Sequence, residues 1–153
     1  MQKITTFLTF DNQAEAAMKL YTSVFGGRIT SENRQGKDGP LFSGSFEIDG
    51  QTFMVLDGGP TFTFAQGTSL FVRCETQAEV DDLWAKLTAN GGEPGRCGWL
   101  KDPFGVSWQI IPTALGELLQ DPDPARAQRA MKAMLGMSKL DIAGLRRAAD
   151  GDA

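Results

Sequence analysis

The chain has 153 residues, 41% of them hydrophobic and 22% charged, which suits one ordinary domain with a real core and argues against disorder. The net charge is −4 and no Lys/Arg stripe precedes the C-terminal tail, so nucleic acid is not an expected partner. No stretch approaches the ~20 apolar residues of a membrane helix, so no membrane partner is expected either.

In chain order, residues 3–10 give a strand pattern in which Ile4, Leu8 and Phe10 alternate with polar positions, interrupted by Phe7. Met1-Gln2-Lys3-Ile4 leads into it without an apolar signal core or cleavage site, and a cytoplasmic protein is expected. Ala14, Ala17, Met18, Tyr21, Val24 and Phe25 then form a helical stripe, with Asn12 and Glu15 at its start and Gly26-Gly27 at its end. Residues 42–48 and 52–56 flank Asp49-Gly50, a strong hairpin signal. A loop from Gly58-Gly59-Pro60 to Gly67 carries the alternating pair Phe62 and Phe64.

Residues 69–74 are more continuously apolar, as in a strand buried on both faces. Thr76 and Glu79 form a capping box before a stripe of Val80, Leu83, Trp84 and Leu87, and Gly91-Gly92 come after it as a C-cap. Residues 99–101 and 106–111 flank Asp102-Pro103-Phe104-Gly105, and Pro112 stops the last strand. Three helices are expected beyond it, over residues 113–120, from Asp123-Pro124 onward, and over about 141–149. Met131, Met134 and Leu135 form the apolar stripe of the second, and read as packing material.

The two halves repeat. Phe10-Asp11-Asn12-Gln13-Ala14-Glu15 aligns with Cys74-Glu75-Thr76-Gln77-Ala78-Glu79, and Gln13 is displaced to Gln77 by 77 − 13 = 64 residues. Each half reads strand, helix, then about three strands. The fold class is therefore α+β, with two tandem βαβββ modules at about 1–58 and 68–112. They make a single domain of residues 1–112, with a helical extension of residues 113–153 after it.

There is no histidine, so Cys–His and Ser–His–Asp nucleophiles are excluded. Cys74 and Cys97 are too few for a disulfide scaffold and are expected as free thiols. Cys74 reads as core; Cys97, beside Arg96, reads as a buried inert thiol. No Gly-rich strand-to-helix turn occurs of the kind a doubly wound nucleotide site requires.

Several segments resemble the PhnB-like branch, labelled 3-demethylubiquinone-9 3-methyltransferase, of the vicinal-oxygen-chelate (glyoxalase and bleomycin-resistance) superfamily. They are Phe7-Leu8-Thr9-Phe10 before Asn12-Gln13-Ala14-Glu15, Gly58-Gly59-Pro60-Thr61-Phe62-Thr63-Phe64, and Leu70-Phe71-Val72-Arg73-Cys74-Glu75. The most specific runs are Cys97-Gly98-Trp99-Leu100-Lys101-Asp102 and Gly105-Val106-Ser107-Trp108-Gln109-Ile110-Ile111-Pro112. The tail from Ala130 to Ile142 looks similar too. The resemblance implies that the modules form a curved, cup-like mixed sheet. It also implies metal ligands, in metal-dependent relatives, on the first and last strand of each module. Those positions fall here near Thr5 or Thr6, at Met54, near Thr68 or Ser69, and at Gln109. Hydroxyls, a thioether and an amide make a poor metal site, so neither a metal nor another cofactor is expected.

The candidate ligand-binding residues are Gln109, Trp99, Met54, Ser69, Thr6, Phe62, Phe64 and Asp57. Alternation places Val106, Trp108 and Ile110 on one face of the last strand, toward helices, and Ser107, Gln109 and Ile111 on the other, toward the cup. No catalytic residue is assigned. The expectation is a protein that binds a small, partly apolar molecule and pairs as a homodimer. The alternative is a metal-independent enzyme, a lyase, an isomerase or the methyltransferase of the family label, drawing on Asp57, Lys101, Cys97 or Tyr21.

Overall fold

The computed structural model describes residues 2–152, so Met1 lies outside it. The chain divides into two compact units between Thr63 and Phe64, inside the expected linker. The C-terminal helices belong to the second unit.

The first unit runs Thr6–Phe10 (β1), Ala14–Phe25 (α1), Arg28–Arg34 (β2), Leu41–Ile48 (β3) and Gln51–Asp57 (β4). Its sheet order is β1-β4-β3-β2, with β1 parallel to β4 and the other pairs antiparallel. The Asp49-Gly50 hairpin forms as expected, with φ of 50° and 70° at its two turn residues. The helix lays Ala14, Ala17, Met18 and Tyr21 on one sheet face. There Tyr21 meets Phe46, and Phe46 stacks on Phe53 at 5.1 Å between centroids. Gly44 permits the close approach, since a Cβ there would lie 2.9 Å from the Met18 methyl.

Two expectations fail at the start of this unit. The first strand begins at Thr6, not at residue 3, and Ile4 is 87% exposed. The Gln2 side chain has taken the ladder's place, donating to the Thr52 carbonyl at 3.0 Å and accepting from its N–H at 3.0 Å. Nor do Asn12 and Glu15 cap α1. Asn12 is left-handed, and Glu15 is bonded to Arg34, whose guanidinium holds its carboxyl below the usual range.

The second unit runs Leu70–Cys74 (β5), Gln77–Thr88 (α2), Glu93–Pro94 (β6), Trp99–Lys101 (β7) and Ser107–Pro112 (β8). Its sheet order, β5-β8-β7-β6, repeats that of the first. The capping box forms: Thr76 accepts from the Glu79 N–H at 3.2 Å, and Glu79 reaches back to the Glu75 N–H at 2.8 Å. The helix ends earlier than expected, on Ala89, and Asn90 and Gly91 take the left-handed turn beyond it. Val80, Leu83 and Leu87 cover Leu100, Trp108 and Ile110. The strand at 70–74 is not buried on both faces: Cys74 is buried, whereas Phe71 is 53% exposed.

Asp102 fixes this core. It is buried, and one carboxylate oxygen accepts from the Phe104 and Val106 N–H groups at 2.9 and 3.1 Å. The other accepts from the Trp108 indole N–H at 2.9 Å. One side chain thus closes the β7–β8 turn and orients the largest core residue.

Thr113–Leu119 (α3), Pro124–Leu135 (α4) and Ile142–Ala149 (α5) complete the unit. Asp123 caps α4 as expected, accepting from the Ala125 N–H at 3.0 Å. The methionine stripe is only partly inward. Met134 packs on Leu115, Leu140 and Leu145, but Met131 and Leu135 are exposed, because the buried face of α4 centres on Ala130. The tail is tied to the module through Gln77, which donates to the Leu140 carbonyl at 3.0 Å and accepts from the Ile142 N–H at 2.8 Å. Cys97 and Gly98 donate their N–H groups to the Met137 and Ser138 carbonyls, each at 2.8 Å. Gly98 has φ +86° and no room for a Cβ against Ile111 and Leu140.

Asp102→Ala should therefore lower stability by about 3 kcal/mol or more, since it strands one indole and two backbone donors in the interior. Urea unfolding checks this. A loss below about 1 kcal/mol would mean that the network is dispensable.

Candidate functional site

Each sheet has one face covered by its own helix, α1 or α2, and a more open one, which in the second unit is covered in part, since Ile111 packs on Leu115, Leu140 and Leu145 and Ser107 is buried. In the second unit the strand register puts Phe71, Gln109 and Trp99 side by side across β5, β8 and β7. Their neighbours Leu70, Trp108 and Leu100 form the next row and face the helix. Trp108 is 1% exposed, whereas Gln109 and Trp99 are half-buried, so the two faces of β8 separate as alternation requires.

Gln109 lies at the centre of the open face. Its amide nitrogen donates to the Ser69 hydroxyl at 2.9 Å. The second N–H and the carbonyl oxygen remain for a ligand. Ser107 and Lys101 are register partners in the row beyond Trp108 and Leu100, on the Gln109 side of the sheet. Arg73 stands over the Phe71 ring, 5.8 Å from its centroid.

The first unit repeats the frame with other chemistry. Phe7, Met54 and Ser45 form the equivalent row across β1, β4 and β3. A bulge between Ile29 and Ser31 turns both Thr30 and Ser31 onto the Ser45 hydroxyl, each at 2.7 Å. Met54 is 42% exposed.

Of the residues singled out from sequence, the structure brings together Gln109, Ser69 and Trp99, and places Met54 on the open face of its own sheet. Thr6 does not join Met54. It pairs with Phe53 and alternates onto the side of Leu8 and Phe10, and the residue opposite Met54 is Phe7. Asp57 is also misassigned. Its register partner is the buried Phe10, and its carboxylate accepts the Ala14 N–H at 2.8 Å, supplying the cap that α1 lacks in its own sequence. Phe62 and Phe64 form no strand; Phe62 lies against Gly58, and Phe64 lies near Gly105. Sequence reasoning missed Phe71, although Ser69, Phe71 and Arg73 alternate with Leu70, Val72 and Cys74. It also read Asp102-Pro103-Phe104-Gly105 only as a turn and not as the place of a buried carboxylate that holds Trp108.

The thiols differ. Burial, reinforced by Glu79 and Glu75, pushes Cys74 up to about 12, so it stays protonated. Cys97 is only half-buried and takes a left-handed φ of 57°. Among the described residues no group of three His, Cys, Asp or Glu could hold a metal ion. The donors at the positions where metal-using relatives place ligands are hydroxyls, one thioether and one amide, which do not fit a divalent ion.

Two βαβββ units, each a four-stranded mixed sheet with a helix on one face, define the glyoxalase and bleomycin-resistance class of fold. Within it, the model of the 3-demethylubiquinone-9 3-methyltransferase family matches residues 2–111. A Bacillus cereus protein described as a 3-demethylubiquinone-9 3-methyltransferase, PhnB protein, is 39% identical, with a TM-score of 0.66 over 72% of this chain and 99% of its own. The chain belongs to this PhnB-like family. Protein PA1353 from Pseudomonas aeruginosa shares the fold at 19% identity and TM-score 0.60, over 73% of this chain and 98% of its own. A glyoxalase-related enzyme from Fulvimarina pelagi does so at 19% identity and TM-score 0.53, over 73% and 88%. No curated protein matches the chain. The family match stops at residue 111, so the resemblance read in the tail is not carried by it, and α3 to α5 lie outside.

Gln109→Leu should change stability by less than about 1 kcal/mol, since it trades a half-buried amide for similar apolar volume. Trp108→Ala should cost about 3–5 kcal/mol. Equal losses in urea unfolding would make Gln109 a structural bridge.

Proposed function

We propose that the protein binds a small, partly apolar molecule on the open face of its second module, without a metal. The observation that carries this reading is Gln109: an amide with one of its groups held by Ser69 and the rest turned to the face, set between Phe71 and Trp99. An apolar surface with a few fixed polar groups is what a small-molecule site requires. The amide stands where metal-using relatives place a carboxylate, so it offers a ligand direct hydrogen bonds in place of a coordinated ion. The family description names a methyl transfer, and the fold alone does not carry a reaction.

Native mass spectrometry of protein purified from its own host should show a retained small molecule that Gln109→Leu releases. Elemental analysis should show no stoichiometric zinc, iron, nickel or manganese. One equivalent of such a metal, lost in Gln109→Ala, would overturn the reading.

A twofold dimer belongs to the same proposal. Support comes from Met131 and Leu135, exposed one turn apart on α4. Light scattering should give twice the chain mass at micromolar concentration, and a monomer there would refute it.

A further inference from the structure

The open face of the second module has a charged corner. Lys101, Trp99, Gln66, Glu93, Gly95 and Ser107 line a depression of about 110 Å³ there. Glu93 is the register partner of Lys101 across β6 and β7, yet the two form no salt bridge. Nor does Lys101 pair with any other carboxylate among the described residues. Asp102, next in the chain, cannot neutralise it, since both its oxygens serve the covered face and the hairpin. Arg73 is the other cation of the face, and it too has no salt bridge among the described residues. Among the described residues, the paired rows of this face thus set Lys101 and Arg73 against Glu93.

The spacing defines a shape. Neighbouring strands lie about 4.8 Å apart, so Phe71 and Trp99 flank Gln109 across a row about 10 Å wide, enough to seat two fused rings. Lys101 lies two residues along β7 from Trp99, about 6.6 Å away on the same face. A flat ring laid over the row would meet an aromatic edge on each side and the amide beneath. An anionic group on that ring would reach the ammonium and gain a charge-assisted hydrogen bond in a partly enclosed place.

We propose that the ligand of this face is a planar aromatic acid, its ring across Phe71, Gln109 and Trp99 and its carboxylate on Lys101. This rests on the binding reading above and deepens it. The probes are 2-naphthoate and its neutral counterpart 2-naphthalenemethanol, titrated calorimetrically into the full chain. The acid should bind about 10-fold or more tightly than the alcohol at low salt, with the gap narrowing as salt is added. Lys101→Met should abolish the gap and leave the alcohol's affinity in place. Glu93→Gln should widen it. Should Lys101→Met fail to fold, Lys101→Arg should keep the gap, and the Glu93→Gln comparison decides. Equal binding of acid and alcohol, or a ratio unmoved in both Lys101→Met and Glu93→Gln, overturns the charge inference and leaves the aromatic face standing. Binding of neither probe overturns both.

Discussion

Each sheet in this protein has two faces and one helix of its own module, and Ile111 on β8 also meets the C-terminal helices. That inequality governs everything else. A single amphipathic helix of 12 residues covers one side of four strands and leaves the other to whatever the alternate positions carry. The helix-side rows are what a core demands: Phe46, Phe53 and Val55 in the first unit, Leu100, Trp108 and Ile110 in the second. The open-side rows face no such demand, and they are where chemistry can vary without cost to the fold. Phe7, Met54 and Phe71 are all more than two-fifths exposed there, which is a poor arrangement for large apolar side chains with nothing to bind.

Such an arrangement works only if the register does not slip, because a one-residue shift exchanges the two faces. In the second unit Asp102 prevents this. Its carboxylate holds the Phe104 and Val106 N–H groups on one oxygen and the Trp108 indole on the other, so turn geometry and side-chain direction are set by one group. Trp108 is thereby committed to the helix side, and Gln109 to the opposite side. The polar centre of the candidate site is a consequence of a buried contact on the far face.

Much of this is legible in the amino-acid sequence alone. The repeat at Gln13 and Gln77, the hairpin at Asp49-Gly50, the Asp123 cap and the division of β8 into a Trp108 face and a Gln109 face all come from period and turn chemistry. The errors at Asp57 and Ile4 share one cause: long-range hydrogen bonds that no local pattern encodes. Asp57 caps a helix 43 residues earlier in the chain, so at sequence level it reads as an exposed strand end. Gln2 stands in for a strand residue opposite Thr52, so Ile4 reads as ladder when it is not. The side taken by Thr6 is set only by the pairing of β1 with β4 through Thr6 and Phe53. Phe71 is hidden for a different reason. Leu70, Phe71 and Val72 read as one apolar run, and periodicity cannot tell a strand buried on both faces from one that exposes an aromatic.

The two modules show what duplication leaves free. The equivalent helices begin at Ala14 and Gln77, yet α2 carries its own cap at Thr76 while α1 borrows one from Asp57. Gln77 binds the tail at Leu140 and Ile142, a service the first module does not need. On the open faces, the row Phe7, Met54 and Ser45 corresponds to Phe71, Gln109 and Trp99. Only the aromatic on the edge strand is kept. The first module turns hydroxyls onto its face through a bulge, and the second places an amide between two rings, with Lys101 two residues further along β7 on the same side. Packing constrains one side of each sheet and leaves the other free to vary, so the cores stay alike while the open faces diverge.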